Sequence, residues 1–336
     1  MDALSEALDA VRMTSALVLN AECSAPWGFT SPDPATLMPL LAPDAERLVM
    51  YHLMIEGDAR ARIAGMPEVS LVPGDIAIIP HGDAHTFSNG SPPRLLDLTS
   101  DLFANASDLS LMKFGGGGAT TRFVCGYFGC ERRAERLFLA GLPQIIKINI
   151  RGDAAGRWLE DSMRHLASEV GDTRPGNRVL LSKMAETLFI EAMRRYMEQL
   201  TPEQTGWLAA AKDPVVGRAL ALLHRDPRHS WTVAELAAQT GASRSVVTER
   251  FAHLLGESPL AYLARWRMQL AARLLESTRN TIVQTAAEVG YESEAAFSRA
   301  FSREFGLPPA RYRKQARHPE SAGHWASASQ AQLPDT

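Results

Sequence analysis

One pattern occurs twice near the C-terminal end of the chain and limits what this part of the molecule can fold into. Val233–Thr240 is predicted to form a short helix, Gly241 a tight turn, and Ser243 the N-cap of a second helix. The same elements return further along the chain, at Ile282–Val289, Gly290 and Ser293. Two copies in register indicate a helical domain with two helix-turn-helix units, which one copy alone would not establish.

Apolar residues are spaced to fill the angle between the two helices of each unit. They are Leu236, Ala237, Val246, Val247, Phe251 and Leu254 in the first unit, and Ala286, Val289, Ala296, Phe297 and Phe301 in the second. Between the units, Pro259 begins a further helix that fits a rigid spacer packed against both. Two reading helices on one spacer suit adjacent major-groove faces of a DNA duplex, about one helical turn apart.

The charge of the chain divides in the same region. Residues 213–317 hold 15 Lys and Arg against 10 Asp and Glu, a net charge of +5. The remainder of the 35 basic and 38 acidic residues, 20 against 28, gives a net charge of −8. The total of −3 argues against a protein that coats polyanions, whereas an Arg-rich segment on an acidic body predicts one part that meets phosphate.

Residues 213–316 resemble the DNA-binding domain of the AraC/XylS family of bacterial transcription regulators. The matching stretches are SRSVVTERFAHLLGESPLAYLARWRMQLAARLL and IVQTAAEVGYESEAAFSRAFSREFGLPPARYR. The resemblance implies that the tip of each second helix contacts base edges, where Arg pairs with guanine and Glu accepts from cytosine. Carried over by position, these contacts come from Arg244, Ser245, Thr248 and Glu249 in the first unit, and from Glu294, Ala295, Ser298 and Arg299 in the second.

Arg250, Arg303 and Arg313 are better placed to contact phosphate, which positions a protein on DNA without specifying sequence. For any one of these arginines the alternative is a solvated surface charge. Glu249 and Glu294 would repel phosphate, so each helix tip must point into the groove.

Residues 1–150 alternate short apolar runs with Gly, Pro and Asp, as is typical of a β-sandwich or barrel. Within them, GDIAIIPHGDAHTFSN resembles the second motif of the cupin superfamily, in which His85 would face into a small β-barrel. The first cupin motif is incomplete, because only His52 and Glu56 stand where His-x-His and Glu are expected. The stretch from Leu48 to Pro143 more closely resembles the cupin-type sensor domain of one AraC branch.

Two interpretations of the polar residues in this domain remain open. His52 and His85, with His81 or Glu56, could form a transition-metal site with an open coordination position. Alternatively, the histidines line or brace a barrel without a metal, which the incomplete ligand set favours. The apolar lining of the barrel would then hold a small organic effector.

Three cysteines, Cys23, Cys125 and Cys130, are too few for a disulfide scaffold, and their spacing is poor for zinc. They favour a reducing cytoplasm. An exposed thiol beside Arg132 or Arg133 would suit a redox switch, whereas the apolar flanks of Cys125 favour a buried structural role.

These patterns predict an α+β multidomain protein. Its parts are a cupin-like β-barrel at 1–150, a helical linker at 151–212, an all-α domain with two helix-turn-helix units at 213–316, and a disordered tail at 317–336. In the linker, Asn177–Leu200 has a wide apolar face that needs a partner, either the N-terminal domain or a second copy of the chain.

The expected function is that of a cytoplasmic, sequence-specific transcription regulator that is not an enzyme and needs no cofactor, with a transition metal at His52 and His85 as the alternative that the sequence leaves open. Its expected partners are double-stranded DNA, a small-molecule effector, RNA polymerase and a second copy of the chain. No membrane partner is expected, because no apolar run reaches the ~18–20 residues of a membrane span. The alternatives are a metal-dependent cupin enzyme with a helical appendage and a thiol-based redox-sensing regulator.

Overall fold

The computed structural model describes residues 3–10, 13–43, 45–91, 95–97, 111–131, 139, 141–168 and 175–317 of the 336-residue chain. They form two compact units, an N-terminal unit within Val11–Ala209 and a C-terminal unit that combines residues of Met1–Ala10 with residues of Ala210–Thr336. The predicted tail at 317–336 lies outside the described residues, apart from Arg317. Among the helices that the structure describes, none is both long and apolar enough to cross a membrane.

The secondary structure follows the predicted change from strands to helices. The strands are β1 (Met13–Ser24), β2 (Trp27–Ser31), β3 (Arg47–Glu56), β4 (Ala59–Ile63), β5 (Val69–Leu71), β6 (Asp75–Ile79), β7 (His85–Asn89), β8 (Leu96–Asp97), β9 (Met112–Gly115), β10 (Thr120–Cys130) and β11 (Ile146–Asn149). The helices are α1 (Ala3–Ala10), α2 (Pro34–Leu41), α3 (Ala154–Ser168), α4 (Asn177–Gln199), α5 (Trp207–Lys212), α6 (Val216–Arg225), α7 (Val233–Thr240), α8 (Arg244–Leu255), α9 (Pro259–Ser277), α10 (Ile282–Glu288), α11 (Glu294–Phe305) and α12 (Pro309–Arg317).

The strands of the N-terminal unit form two sheets, as expected for a cupin-like domain, and among the described residues these sheets do not close into a barrel. Six strands pair in the order β11-β6-β3-β10-β1-β9, and five in the order β5-β4-β7-β2-β8. The chain passes from one sheet to the other between β3 and β4, at Gly57, where φ is +70° and a Cβ would lie 2.3 Å from the Thr120 carbonyl oxygen. Among the described strands, no edge strand of one sheet pairs with an edge strand of the other, so the described part of this unit is an open sandwich.

Aromatic side chains fill the interior of this sandwich. Trp27 and Phe29 on β2, Phe87 on β7 and Phe123 on β10 are all buried. The rings of Trp27 and Phe123 stack with centroids 5.3 Å apart, and those of Phe29 and Phe87 lie 5.6 Å apart. The interior that the sequence predicts to hold an effector is therefore occupied by the protein's own side chains in this region.

The wide apolar face of α4 finds its partner within its own unit. Leu181, Leu188 and Phe189 are buried on the side of α4 that packs on β1 and β11. The Phe189 ring lies 4.8 Å from that of Phe128 on β10. Of the two partners that the sequence leaves open, the N-terminal domain therefore covers this face.

Side-chain caps define the helices of the C-terminal unit. Thr232 and Glu235 form a capping box at the start of α7, and Thr281 and Gln284 form the equivalent box at the start of α10. Ser258 caps α9, whose first residue is Pro259. The predicted helix starts are thus correct. Each capping side chain accepts a hydrogen bond from a backbone N–H group that would otherwise lack an intrahelical partner.

The spacer helix α9 contributes to the cores of both helix-turn-helix units. Tyr262 is buried near Phe251 of the first unit, with ring centroids 6.2 Å apart. In the second unit, Leu275 belongs to the same buried cluster as Phe297 and Phe301. These contacts confirm the predicted spacer, because the second helix of each unit packs in a core to which α9 contributes.

Candidate nucleic-acid interface and effector site

The second helix of the first unit, α8, has an exposed polar tip. Gly241 adopts φ +70° in the turn, and the Ser243 hydroxyl accepts a hydrogen bond from the Val246 N–H at 3.3 Å. The residues with predicted base contacts on this tip are all exposed: Arg244, Ser245, Thr248 and Glu249. The cap, the turn and the buried side of α8 thus leave four polar side chains on one accessible face.

The second unit has the same design at α11. Gly290 has φ +79°, and the Ser293 hydroxyl accepts from the Ala296 N–H at 3.1 Å. Of the residues with predicted base contacts, Glu294, Ala295 and Arg299 are exposed and Ser298 is half-buried. The acidic Glu294 lies in the first turn of α11, where a carboxylate is stabilised by the helix dipole in addition to any role toward a base.

The three arginines with predicted phosphate contacts occupy different environments. Arg250 donates to the Asp213 carboxylate at 2.7 Å, so phosphate would have to compete with this ion pair. Arg303 is exposed on α11. Arg313 is half-buried on α12, with Nε and Nη2 shielded from solvent. Of the three, Arg303 has the environment best suited to a phosphate contact.

In the N-terminal unit, two of the predicted site residues join a buried polar chain with Cys125. The His52 Nδ1 atom lies 2.6 Å from the Cys125 Sγ atom, and the His52 Nε2 atom lies 2.7 Å from the His85 Nε2 atom. His85 Nδ1 is 2.8 Å from the carbonyl oxygen of Asp83. The register of β3 against β10 creates the first contact, because His52 is directly opposite Cys125.

The Asp83 carbonyl fixes the direction of every hydrogen bond in this chain. A carbonyl only accepts, so His85 Nδ1 carries the proton and His85 Nε2, in a neutral ring, is an acceptor. His52 Nε2–H therefore donates to His85, and His52 Nδ1 accepts from the Cys125 thiol. Burial lowers the pKa of His52 and of His85, and it raises the pKa of Cys125, which keeps all three groups neutral.

This arrangement does not fit a cupin-type metal centre. The two nitrogens of His52 point in different directions, one toward His85 and one toward Cys125, so one ion cannot bind all three side chains. Glu56 is exposed at the end of β3, and His81 contacts the Leu142 carbonyl oxygen at 3.0 Å through Nε2. Across the described residues, no group of three or more His, Cys, Asp or Glu side chains could hold a metal ion.

The three cysteines are buried, and none of them forms a disulfide bond with a described residue. Cys23 pairs with Thr121 across β1 and β10, so it is offset from Cys125 by four residues of β10, about 13 Å at the rise of a β-strand. That distance exceeds the reach of a disulfide. Burial raises the pKa of Cys23 to about 12, which opposes thiolate formation. Arg132 and Arg133, the cations expected beside a reactive thiol, lie outside the described residues.

A small cavity opens beside His81 at the turn between β6 and β7. Its volume is about 140 Å³, close to the ~150 Å³ of an engineered cavity that binds benzene. The described residues that line it are Pro34, Met38, Arg47, Leu48, Pro80, His81 and Leu139. The described wall of the cavity thus combines five apolar residues with one guanidinium and one imidazole.

Comparison with known proteins identifies the family of this chain. A cupin family model matches residues 2–198, and a helix-turn-helix domain model matches residues 236–315. A putative AraC-like transcription regulator of Streptomyces lividans is 33% identical over 278 residues, covering 82% of this chain and 90% of that protein. The chain belongs to the AraC family of transcriptional regulators, and it carries a cupin domain.

Two further relatives agree with this assignment. The HTH-type transcriptional regulator AlkR of Acinetobacter baylyi is 32% identical over 323 residues, which cover 94% of this chain and all of that protein. The RCS-specific HTH-type transcriptional activator RclR of Escherichia coli is 27% identical and covers 80% of this chain and 86% of that protein. This AraC-family protein is a DNA-binding transcription regulator, as the duplicated helix-turn-helix units predict.

The structure also contains functional candidates that sequence reasoning missed. The sequence pattern around Cys125 indicates a buried thiol but not a partner of His52, and no pattern singles out Arg47. The contact between His52 and Cys125 spans 73 residues of sequence and depends on strand register, which a single sequence does not reveal. The sequence contains no comparable signal for Arg47.

Proposed function

We propose that this AraC-family protein is an effector-responsive regulator whose two helix-turn-helix units contact adjacent half-sites of one operator. The observation that carries the proposal is the pair of exposed polar tips on α8 and α11, attached to a shared spacer helix. A reading helix contacts bases with its N-terminal residues, and both tips present such residues to solvent.

The side chains at the tips indicate which bases they would prefer. Arg244 and Arg299 can each form a bidentate pair with guanine, and Glu249 and Glu294 can accept from the amino group of cytosine. Arg303 would contact phosphate and fix the register of α11. Each well-formed bidentate contact between a side chain and a base contributes about 1–3 kcal/mol of discrimination against the wrong base. A few such contacts in each unit are therefore enough to specify a sequence.

We propose the cavity beside His81 as the effector site. Its volume suits one ring or a chain of about six carbons. Because the described residues of its wall include the charged side chain of Arg47 and the imidazole of His81 beside apolar side chains, the favoured ligand has an apolar body and a polar or anionic end. Such a ligand changes DNA binding only to the extent that it binds two states of the protein with different affinities.

The remaining expectations concern assembly and location. We propose a homodimer that uses the outer face of α4, where Val179, Leu180 and Ile190 are exposed. As a transcription regulator, the protein is expected to act in the cytoplasm, to contact RNA polymerase and to catalyse no reaction. No specific contact among the described residues favours a metal-dependent enzyme or a thiol-based redox sensor.

Selection of bound DNA from a random pool, with full-length protein and with or without candidate small molecules, tests this function. We expect enrichment of one sequence that contains two short conserved elements about one helical turn apart. We also expect an effector to change the yield of that sequence without changing the sequence itself. A pool that remains random after repeated rounds would contradict the proposal.

A further inference from the structure

The spacer helix α9 carries an arginine that is hydrogen-bonded to a loop of the first helix-turn-helix unit. Arg267 Nε donates to the Pro227 carbonyl oxygen at 2.6 Å, and Arg267 Nη2 donates to the His229 carbonyl oxygen at 3.0 Å. Pro227 and His229 belong to the loop between α6 and α7. One half-buried side chain on the spacer thus fixes the path of this loop at two points.

The same loop contacts the turn of the second unit. Arg228 Nε donates to the carbonyl oxygen of Glu288, the last residue of α10, at 3.0 Å. A Cβ added at Gly290 would lie 2.9 Å from both Cα and the carbonyl oxygen of Arg228. The Arg267 guanidinium also lies 5.9 Å from the ring centroid of Tyr291, in the same turn. We call this set of interactions between 227–229 and 288–291, held by Arg267, the loop–turn contact.

The loop–turn contact distinguishes the two units, although their sequence patterns are the same. The first turn glycine, Gly241, has open space around the position of a Cβ. The second, Gly290, has backbone on one side and the Arg267 guanidinium on the other. Glycine at 241 is therefore needed for its positive φ alone, whereas at 290 it also allows the two units to touch.

We propose that Arg267 is a positioning residue that sets the distance and rotation between the two reading helices. Through them, it would determine the half-site spacing that one subunit accepts. The apolar contacts of α9 with each core are non-directional and tolerate small shifts, whereas hydrogen bonds to two carbonyl groups specify a direction. This inference rests on the proposed reading of two half-sites.

The expected effect concerns cooperation between the units more than the affinity of either unit. When both units are held in register with the DNA, binding of the second is intramolecular, and this effect commonly multiplies affinity by about 10²–10⁴. A looser loop–turn contact lowers the effective concentration of the second unit at its half-site. Binding to a single half-site does not depend on that contact.

The test uses full-length protein with Arg267→Gln and the matched control Arg265→Gln, measured on the operator selected from the random pool. Arg265 is on the same helix but pairs with Glu257 and lies over the Tyr262 ring, so its replacement removes the same charge and leaves the loop–turn contact intact. Affinity is measured for the intact operator, for operators with one half-site scrambled, and for operators with one base pair added or removed between half-sites.

For Arg267→Gln we expect the affinity for the intact operator to fall about tenfold or more, and the affinity for single half-sites to fall no more than about twofold. Adding or removing one base pair between the half-sites should reduce the affinity of this variant less than it reduces that of the wild type. Arg265→Gln should keep the wild-type penalty for altered spacing. Arg228→Gln, which removes the hydrogen bond to Glu288 together with one positive charge, should change spacing selectivity in the same direction as Arg267→Gln.

The positioning role would be overturned if Arg267→Gln lowered the affinity for intact and half-site DNA equally. It would also be overturned if altered spacing reduced the affinity of Arg267→Gln as much as that of the wild type. These outcomes differ from a failure of the proposed function itself. In that case no operator would be enriched from the pool, and wild-type protein would show no dependence on spacing.

Discussion

Replacing Cys125 by alanine tests the direction of the hydrogen bonds in the N-terminal unit. The Cys125 thiol is the donor to His52 Nδ1, and His52 is only 1% exposed, so water cannot readily replace the lost donor. A buried acceptor without a partner costs about 1–3 kcal/mol of folding free energy. Loss of the sulfur atom adds a packing cost that is separate from the hydrogen bond.

Cys23→Ala is the matched control for this packing cost. Cys23 is buried in the same apolar cluster as Cys125, and its thiol has no hydrogen bond to another described residue. We therefore expect Cys125→Ala to lower the free energy of unfolding by about 1–3 kcal/mol more than Cys23→Ala does. Cys125→Ser, which retains a donor, should recover part of the difference.

Urea unfolding at pH 7 measures these differences. Because the chain has two compact units, the curves are fitted with two transitions, and only that of the N-terminal unit should move. Equal free-energy losses in Cys125→Ala and Cys23→Ala would refute the chain of hydrogen bonds. A serine variant no more stable than the alanine variant would contradict the donor role of the thiol.

Three further predictions concern specificity, pH and assembly. Arg299→Ala should relax base preference at one operator position by about 1–3 kcal/mol, measured on a panel of single-base variants, and a uniform loss on all sequences would instead indicate a phosphate contact. Burial lowers the pKa of His224 to about 3, so below pH 6.5 the unfolded chain binds a proton that the folded C-terminal unit does not. The free energy of unfolding of this unit should therefore fall by up to about 1.4 kcal/mol for each pH unit below 6.5. His224→Gln should flatten this slope in urea unfolding between pH 7 and 5, and an unchanged slope would exclude His224 as its source. Leu180→Glu on the outer face of α4 should shift the protein toward monomer in sedimentation experiments while its far-UV circular dichroism spectrum stays that of the wild type, and an undiminished dimer would exclude this face.

The helical part of this protein could be predicted from sequence because its signals are local. The caps Ser243 and Ser293, the helix start at Pro259 and the turn glycines Gly241 and Gly290 each act within a few residues, so one sequence is sufficient to locate them. The exposed tips of α8 and α11 follow from the same periodicity, since burying one face of a helix leaves the opposite face in solvent.

Features that depend on long-range contacts could not be predicted in the same way. The contact between His52 and Cys125, the ion pair between Arg250 and Asp213, and the loop–turn contact at Gly290 each join distant parts of the chain. The division of the cupin-like domain into two open sheets is also a long-range feature, because alternating apolar runs predict strands but do not specify which edges pair.

The central claim is that two exposed helix tips read DNA sequence directly. The most direct measurement compares the affinity of full-length protein for the selected operator and for a shuffled duplex of the same composition, at physiological salt. We predict a preference of about 10³-fold or more for the operator, lost when both half-sites are scrambled. Equal affinities for the two duplexes would contradict the claim, since binding would then depend on phosphate contacts alone.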